Sequence, residues 1–434
     1  MLNSKRIRLI FDGSVLTNGL KKDSGRSGVY FMADRLLREF CRNENIEVTV
    51  LLPECSDYEL SLLKNGGIIP QSCNTIPAFN SPKIYKKLSE YCMNGRNNFI
   101  KKLLRFARIR LIRIFKILCF LTLKKRLDNN CFDIYFSPVN KISPIIQNAK
   151  NIKYYIIIHD LIPLILKDFY ESFGIKRMRK TAEMLQKLNP DFRYFTNSES
   201  TKYNLLEYHK NFKSENIIVA YPASNHYKNN CTDNITPEMV KKIYNIPPDK
   251  KYILSFSTVE PRKNIIFAIK NFITFIDKYN IEDLVFVAGG GVWNEYKELF
   301  EKFMASVPKE KFIKLDYVDD NSVGALYTEA FLFVCPSIYE GFGTPILEAM
   351  QSGCPVITSN KSSLPEVIGD AGITIDPNND KEMIAAYKKM YYDENFRQQC
   401  IKKGLERAKL FTWEKCADIM YNEFHRAIQN ETSI

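Results

Sequence analysis

The sequence predicts an α/β protein of two domains, each a parallel β-sheet with helices on both faces, that face each other across a cleft. Short apolar strands alternate with amphipathic helices through most of the 434 residues, a pattern typical of doubly wound sheets. The alternation breaks at a basic segment, about 81–130, and at a polar, Asn-rich stretch, 223–248, that contains three prolines. The second break predicts a linker between two domains of similar size.

The N-terminal domain is expected to span residues 1–222, with the basic segment as an insertion. It opens with a strand at 7–11, a helix at 29–40 whose apolar side faces inward, and a strand at 48–52, which is the start of a parallel sheet. Further strands are predicted at 134–136, 154–158, 193–196 and 216–220, with a helix at about 176–187.

The C-terminal domain, expected at 249–410, repeats the alternation. Its strands are predicted at 252–256, 284–288, 312–315, 332–335 and 356–358. Its helices are predicted at 264–278, 293–303, 322–330, 345–351, 382–393 and 394–410. A last helix at about 413–427, within residues 411–434, is expected to pack back toward the N-terminal domain. Ligands of such sheets bind beyond the carboxyl ends of the strands, so the cleft is the expected site.

Composition limits the partners and the compartment. The net charge of +13 favours anionic partners such as phosphorylated substrates, anionic lipid or nucleic acid. The 11 cysteines include no Cys-x-x-Cys pair, which argues against a zinc site and for a reducing compartment. The N-terminus lacks the apolar core of a signal peptide, and no uncharged apolar run reaches the roughly 18 residues of a membrane span. We therefore expect a cytoplasmic protein whose membrane contact, if any, is peripheral on the inner face.

The strongest functional signal is the segment 335–350, where an apolar strand runs into a glycine-containing turn and then into a helix with Pro345 near its start. Free amides at such a helix start favour a phosphate group, and Gly341 and Gly343 allow a ligand close to the backbone. Glu340 in the turn is placed to accept hydrogen bonds from sugar hydroxyls. Glu348, one turn into the helix, is placed to accept hydrogen bonds from ribose hydroxyls. Phe342, Thr344 and Ile346 are also predicted to contact the ligand bound at this turn.

Two further sets of polar residues follow predicted strands. Arg262 and Lys263 come soon after the first strand of the C-terminal domain, where adjacent cations suit a diphosphate leaving group. His159 ends the strand at 154–158 and is expected to point into the cleft. Taken alone, the two cations are equally well explained by a solvated basic turn, and His159 by a core histidine bonded to backbone.

The segment 335–350 resembles the motif of two glutamates separated by seven residues in the retaining glycosyltransferases of family 4, which have the GT-B fold of two Rossmann-like domains. The resemblance extends through 353–358, 364–367 and 370–372 and covers essentially the whole C-terminal domain and, more loosely, the N-terminal one. The string His-Asp-Leu-Ile-Pro at 159–163 is similar to a signature of the mannosyltransferase-like branch of that family, which acts in bacterial polysaccharide biosynthesis.

This resemblance implies roles for individual residues. Lys263, and with it Arg262, would contact the donor phosphates, and His159 would contact the transferred sugar. Gly28, at the end of a glycine-rich loop, would lie near the donor diphosphate, and Val318 near the nucleobase.

The chain departs from the family pattern at one cation. Many relatives carry an additional arginine at about the position that Ser257 occupies here. Either Arg262 substitutes for that cation, or the chain belongs to a branch that lacks it.

The basic segment carries ten Lys or Arg and no Asp or Glu between residues 101 and 126, with its apolar and basic residues on opposite sides of a helical wheel. Two interpretations stay open: a surface helix that covers the N-terminal domain, and a helix docked on an anionic membrane face. The second agrees with an enzyme that acts on lipid-linked acceptors. Nucleic-acid binding is not expected, because no nucleic-acid-binding fold accompanies the segment.

Residues and resemblance together predict a retaining hexosyltransferase. It would move a sugar, with mannose favoured, from a nucleotide-diphosphate donor, with GDP-mannose favoured, to a growing glycan such as O-antigen or capsule. No metal or other cofactor is expected, because Lys263, Arg262 and the helix start at Thr344 would stabilise the leaving phosphate. Two alternatives stay open: a non-catalytic nucleotide-sugar- or glycan-binding subunit of a polysaccharide assembly complex, and a GT-B-fold sugar-nucleotide epimerase.

Overall fold

The computed structural model describes residues 6–20, 28–79, 132–139, 141–142, 146, 149, 151–176, 178–224, 235–315 and 318–432. The basic segment at 81–130, most of the glycine-rich loop before Gly28, and residues 225–234 of the predicted linker lie outside the described residues. The two interpretations of the basic segment therefore stay predictions.

The N-terminal domain is built on a seven-stranded parallel sheet with the order β3-β2-β1-β4-β5-β6-β7. Its strands are Ile7–Asp12 (β1), Ile46–Ser56 (β2), Asn74–Phe79 (β3), Ile134–Ser137 (β4), Lys153–Ile158 (β5), Arg193–Thr196 (β6) and Ile217–Val219 (β7). Its helices are Gly28–Arg42 (α1), Asp57–Asn65 (α2), Ile162–Ile165 (α3), Lys167–Ser172 (α4), Arg179–Leu185 (α5) and Glu199–Tyr208 (α6). The strand order reverses between β1 and β4, so the loops beyond these strands diverge and leave a crevice.

The C-terminal domain has a six-stranded parallel sheet with the order β10-β9-β8-β11-β12-β13, which reverses between β8 and β11. Its strands are Lys251–Phe256 (β8), Leu284–Gly289 (β9), Phe312–Leu315 (β10), Leu332–Cys335 (β11), Val356–Ser359 (β12) and Ile373–Ile375 (β13). Its helices are Pro237–Ile243 (α7), Ile265–Tyr279 (α8), Asn294–Met304 (α9), Asp320–Glu329 (α10), Thr344–Gln351 (α11), Leu364–Ile368 (α12), Asp380–Tyr392 (α13) and Glu394–Ala408 (α14). The prediction of two domains with parallel sheets is confirmed.

The last helix, Trp413–Thr432 (α15), packs on the N-terminal sheet. Trp413, Met420 and Phe424 lie in the same apolar cluster as residues of β1, β2 and α1. The Phe424 ring contacts four aromatic rings of the N-terminal domain, with centroid distances of 4.8 Å to Tyr155 and 5.8 Å to Phe195 among them. The chain therefore passes between the two domains twice, once before α7 and once before α15, so the domains are covalently connected at two points.

The predicted linker contains a helix. Thr236 is the N-cap of α7, with its side chain accepting from the Met239 amide, and Pro237 occupies the first helical turn. Proline is well tolerated there, so this proline marks a helix start where the sequence was interpreted as linker. Val240 and Ile246 are buried in the apolar cluster of the C-terminal domain.

None of the helices in the described ranges combines the length and apolarity that crossing a membrane would require. None of the seven described cysteines forms a disulfide bond within the described part of the chain.

Phe424 tests how much α15 contributes to the N-terminal domain. Phe424 is fully buried, so Phe424→Ala should lower the free energy of unfolding by about 3–5 kcal/mol through lost burial and a cavity. The matched control is Ile419→Ala on the same helix, because Ile419 is 37% exposed and should cost less than about 1 kcal/mol. Urea unfolding followed by circular dichroism measures both. Equal effects of the two substitutions would show that α15 is not part of this core.

Candidate active site at the gap between the domains

Two loops of the C-terminal domain meet where its strand order reverses. β8 leads into a 3-10 turn, Pro261–Lys263, and β11 leads into the turn before α11. Because β8 and β11 are neighbours, the side chains beyond their ends come together. Lys263 Nζ lies 2.5 Å from Glu340 Oε1, and both side chains are about nine-tenths buried. The structure thus brings two of the predicted site residues into one ion pair at the expected ligand crevice.

The Arg262 side chain has hydrogen-bond partners from both domains. Its guanidinium donates to Glu260 Oε1 at 2.6 Å and to the Tyr339 carbonyl at 2.6 Å, and it lies 2.7 Å from Glu340 Oε2. Its Nε lies 3.3 Å from the Tyr170 hydroxyl, which comes from the N-terminal domain. These partners turn Arg262 inward. In this structure Arg262 therefore holds Glu340, and its implied contact with the donor phosphates stays a prediction.

The electrostatics of this cluster keep Glu340 ionised. Burial by itself would raise the pKa of Glu340, but the charges of Arg262 and Lys263 outweigh it and lower the pKa to about 2. The Lys263 ammonium has three N–H donors, and its bond to Glu340 uses one of them. The cluster thus fixes a cation at the crevice with donor capacity remaining.

Three serines near the end of β12 hold the turn that carries Glu340. The Glu340 amide donates to Ser362 Oγ at 2.8 Å, and Ser363 Oγ lies within 3.0 Å of the Glu340 and Phe342 carbonyls. Ser359 Oγ donates to the Ser337 carbonyl at 2.6 Å. The sequence analysis missed these serines, because their link to the turn depends on the neighbouring position of β11 and β12.

The start of α11 offers fewer amides than predicted. Gly343, with a φ of 103°, is the N-cap and provides no capping side chain. Pro345 has no N–H, and the Ile346 amide donates to the Gly343 carbonyl at 3.0 Å. Thr344, a first-turn residue whose amide has no acceptor within the helix, remains partly exposed. The side chains of Phe342 and Ile346 belong to the apolar core, so only their backbone is available to a ligand.

Glu348 lies one turn into α11, as predicted, and is 8% exposed. Its Oε2 accepts from the Tyr327 hydroxyl at 3.1 Å. Burial without a cationic partner raises the pKa of Glu348 to about 8, in contrast to Glu340. The two glutamates of the motif therefore differ in charge at neutral pH.

His159 lies directly opposite this turn, at the end of β5 in the N-terminal domain. A Cβ added to Gly341 would lie 2.3 Å from the His159 carbonyl oxygen, so only glycine permits the two loops to approach this closely. Next to His159, burial raises the pKa of Asp160, and the charge of Arg262 opposes that shift. The predicted residues from both domains thus meet across the gap.

Further contacts between the domains surround the site. The Ser198 hydroxyl donates to the Gly341 carbonyl at 2.7 Å, and Asn204 Nδ2 donates to the Tyr339 hydroxyl at 2.6 Å. Glu366 accepts from two first-turn amides of α6 and from the Tyr221 hydroxyl, at 2.9 to 3.1 Å. A carboxylate at a helix N-terminus is favourable, so these bonds stabilise the closed arrangement. They join residues far apart in the chain, and sequence reasoning missed them.

The structure says less about two other residues predicted to contact the donor, Gly28 and Val318. Gly28 is the exposed first residue of α1, and among the described residues nothing beyond its chain neighbours and its own helix lies within 4 Å of where its Cβ would be. Val318 is 9% exposed, and its side chain packs in the core of the C-terminal domain. The Val318 side chain is therefore turned away from the crevice, and any contact with a nucleobase would involve its backbone.

The chain is similar in sequence to known glycosyltransferases over part of its length. Residues 238–407 match the sequence model of the family described as glycosyl transferases group 1. O-antigen chain mannosyltransferase B of Escherichia coli is 37% identical over 174 residues, which are 40% of this chain and 45% of that protein. Serotype-specific mannosyltransferase WbdA of Escherichia coli is 28% identical over 277 residues, 63% of this chain and 33% of that protein. The chain thus spans less than half the length of these two relatives.

The whole fold has close counterparts among solved structures. Alr3699/HepE of Anabaena, solved in complex with UDP and glucose, superposes with a TM-score of 0.63 over 99% of this chain and 100% of that chain, at 13% identity. This likeness confirms the predicted GT-B architecture. Within the C-terminal domain, residues 238–407 are similar in sequence to the glycosyl transferases group 1.

The buried cluster predicts a large effect of removing Arg262. Arg262→Met leaves Glu260 and Glu340 buried without their shared cation and should lower the free energy of unfolding by about 3–5 kcal/mol. Adding Glu260→Gln should recover part of the loss in stability, because it removes the buried negative charge that Arg262 would otherwise pair with. Arg179→Met is the control, since Arg179 is 50% exposed in its ion pair with Glu171 and should cost less than about 1 kcal/mol. Chemical denaturation showing similar losses at both arginines would refute the buried cluster.

Proposed function

We propose that this chain is a retaining glycosyltransferase that transfers a hexose, with mannose favoured, from a nucleotide-diphosphate sugar to a growing bacterial surface glycan. One observation carries the proposal. Lys263 is paired with Glu340 at the point where the strand order of the C-terminal sheet reverses, and the same turn, at Gly341, closely approaches the His159 backbone of the other domain. In the proposal this cation binds the diphosphate and the histidine contacts the sugar attached to it.

In the proposed reaction the bond between the anomeric carbon of the sugar and the diphosphate breaks. The acceptor oxygen forms its bond to that carbon on the same face, and the acceptor proton passes to the leaving phosphate. Lys263 and the Thr344 amide stabilise the charge that develops on this phosphate. Arg262 and Glu340 hold Lys263 in position. No metal ion is part of this scheme, because the lysine ammonium takes the role of the cation.

The names of the relatives support the choice of sugar and product. Two relatives from Escherichia coli are named as mannosyltransferases, and one of these names refers to the O-antigen chain. GDP-mannose is accordingly the proposed donor. The proposed acceptor is lipid-linked, on the cytoplasmic face of the membrane, and the basic segment at 81–130 would hold the enzyme there peripherally.

The experiment that tests this function has two stages. Thermal unfolding with GDP-mannose, UDP-glucose and dTDP-sugars should show stabilisation that grows with ligand concentration, largest for GDP-mannose. Incubation with GDP-mannose and mannose oligosaccharides should then yield an α-linked product by NMR, since the donor is an α-glycoside. Binding without transfer or hydrolysis of the donor would support a non-catalytic subunit, and isomerised donor would support an epimerase.

Lys263→Ala should lower kcat/KM for the sugar nucleotide about 10²–10³-fold, because the phosphate loses a preorganised charged donor. The matched control is Lys251→Ala at the amino end of the same strand, far from the crevice. Lys251 is 53% exposed and pairs with Asp283, so its loss should leave the rate within about twofold. Steady-state kinetics decide the matter. Equal rates of the Lys263 and Lys251 variants would remove Lys263 from the mechanism.

Glu348 predicts that donor affinity depends on pH. With its pKa raised to about 8, Glu348 is mostly protonated at pH 7, whereas the ionised form is the better acceptor for ribose hydroxyls. Donor binding should therefore release a proton, and affinity should rise with pH up to about 8, by at most about tenfold per pH unit. Titration with intact GDP-mannose avoids the phosphate group of GDP that titrates near pH 6.

The variants of this titration make it specific. Glu348→Gln should bind with no pH dependence between pH 6 and 8.5. Tyr327→Phe removes the hydroxyl that donates to Glu348 and should shift the transition to higher pH. A flat pH profile of the unsubstituted protein would contradict the role of Glu348.

A further inference from the structure

Both ring nitrogens of His159 have partners in the N-terminal domain. Nε2 lies 2.7 Å from the Pro138 carbonyl oxygen, and Nδ1 lies 3.2 Å from Asn197 Nδ2. A carbonyl oxygen only accepts, so Nε2 must carry a proton. In the neutral ring Nδ1 then accepts, and the Asn197 amide group is its donor. The two contacts are mutually consistent for one tautomer only.

Asn197 is placed by the sheet to make this contact. It follows the end of β6, which pairs with β5, so Asn197 and His159 lie at adjacent strand ends. Its amide nitrogen also lies 3.4 Å from the His159 carbonyl oxygen, so both neighbours are acceptors and the NH₂ group must face them. Asn197 is 7% exposed, and within the described part of the chain its buried Oδ1 has no hydrogen-bond partner.

This arrangement costs stability. A buried acceptor without a partner is unfavourable, and an apolar residue of the same size would avoid this cost. Such a cost is typical of residues that serve a site. The Asn197 side chain is therefore not explained by packing alone.

We propose that Asn197 is a positioning residue of the transfer reaction, which together with the Pro138 carbonyl fixes the His159 ring as the neutral tautomer with its proton on Nε2. This inference rests on the proposed function, in which His159 contacts the transferred sugar. It adds that His159 is not the base of the reaction, since neither nitrogen is left to take the acceptor proton. The ring orients the sugar as a fixed, uncharged surface.

The surroundings of His159 agree with a neutral ring. Burial lowers the pKa of His159, and the Pro138 carbonyl only partly opposes this shift. Asp160 is next to His159 in the chain, and its carboxyl interacts with the charges of Arg262, Glu340 and Glu260 across the gap. The carboxylate of Asp160 accepts from the Ile162 amide at 3.0 Å. The negative charge of Glu340 is balanced by its two cations.

The test is the tautomer of His159 by ¹⁵N–¹H NMR of the full chain, assigned with the variant His159→Gln. The unsubstituted protein should show a neutral ring protonated at Nε2 at pH 7 to 8, because the pKa of His159 is lowered. Asn197→Asp replaces the donor by an acceptor of the same shape, so Nδ1 gains a proton and the ring should become an imidazolium at pH 7. His209 is the internal reference, because its Nε2 also faces a carbonyl, that of Leu185 at 2.9 Å.

Kinetics complete the test. Asn197→Asp should lower kcat at least tenfold at pH 7, with activity returning as the pH rises and the imidazolium loses its proton. Asn197→Leu keeps the shape without the donor, and should lower kcat with no new pH dependence. Asn189→Asp is the matched control, since it adds the same charge in the same domain while keeping the acceptor for the Asp191 amide.

Three results would overturn the proposal: a His159 ring protonated at Nδ1 in the unsubstituted protein, an unchanged His159 spectrum in Asn197→Asp, or unchanged kcat in that variant. Failure of the proposed function gives a different result. The unsubstituted chain would then transfer no sugar, which removes the catalytic consequence, while the NMR spectra still decide whether Asn197 fixes the tautomer.

Discussion

The contact between Lys263 and Glu340 is the constraint on which the rest of this site depends. A lysine ammonium in a crevice is a mobile, strongly hydrated charge, and it binds a phosphate weakly unless its position is fixed. Here the buried Glu340 carboxylate fixes it, and Arg262, which also contacts Glu340, offsets part of the cost of burying that negative charge. Glu340 thereby acts within the protein, by positioning Lys263. To accept hydrogen bonds from sugar hydroxyls, Glu340 would use carboxylate lone pairs that do not face Arg262 or Lys263.

The fold explains why this contact exists. Reversal of the strand order brings the loops after β8 and β11 together, and serines from β12 and the following turn hold the second loop rigid. The N-terminal domain supplies the opposite wall through His159, and α6 binds the turn around Gly341 directly. The site is thus assembled from both domains. Its geometry depends on the closed arrangement that Glu366 and Tyr170 help to maintain.

The sequence predicted the parts of this structure that local pattern determines. The strands and helices that were predicted lie within a few residues of those observed, because burial on two faces or on one stripe leaves a periodic signal. The helices α2, α3, α4 and α12 were not predicted. β3 was missed, since Asn74 and Pro77 interrupt its apolar character, and β13 has only three residues. The helix after Thr236 was taken for linker because proline marks both loops and helix starts.

The candidate site shows the same division. Residue types at strand ends indicated Lys263, Glu340 and His159, whereas the contacts of Arg262 with Glu260 and Glu340 were not predicted. Whether a cation faces a ligand or a carboxylate depends on tertiary contacts such as those of Glu260 and Tyr170. Asn197 had no signal in the sequence, since its role comes from the pairing of β5 with β6.

The most direct measurement is a crystal structure of the protein soaked with GDP-mannose or GDP. The account predicts density for the diphosphate in the crevice, with a phosphate oxygen within about 3 Å of Lys263 Nζ and of the Thr344 amide, while Glu340 keeps its contact with Arg262. A nucleotide bound away from these groups, or a diphosphate that leaves Lys263 paired with Glu340 alone, would contradict it.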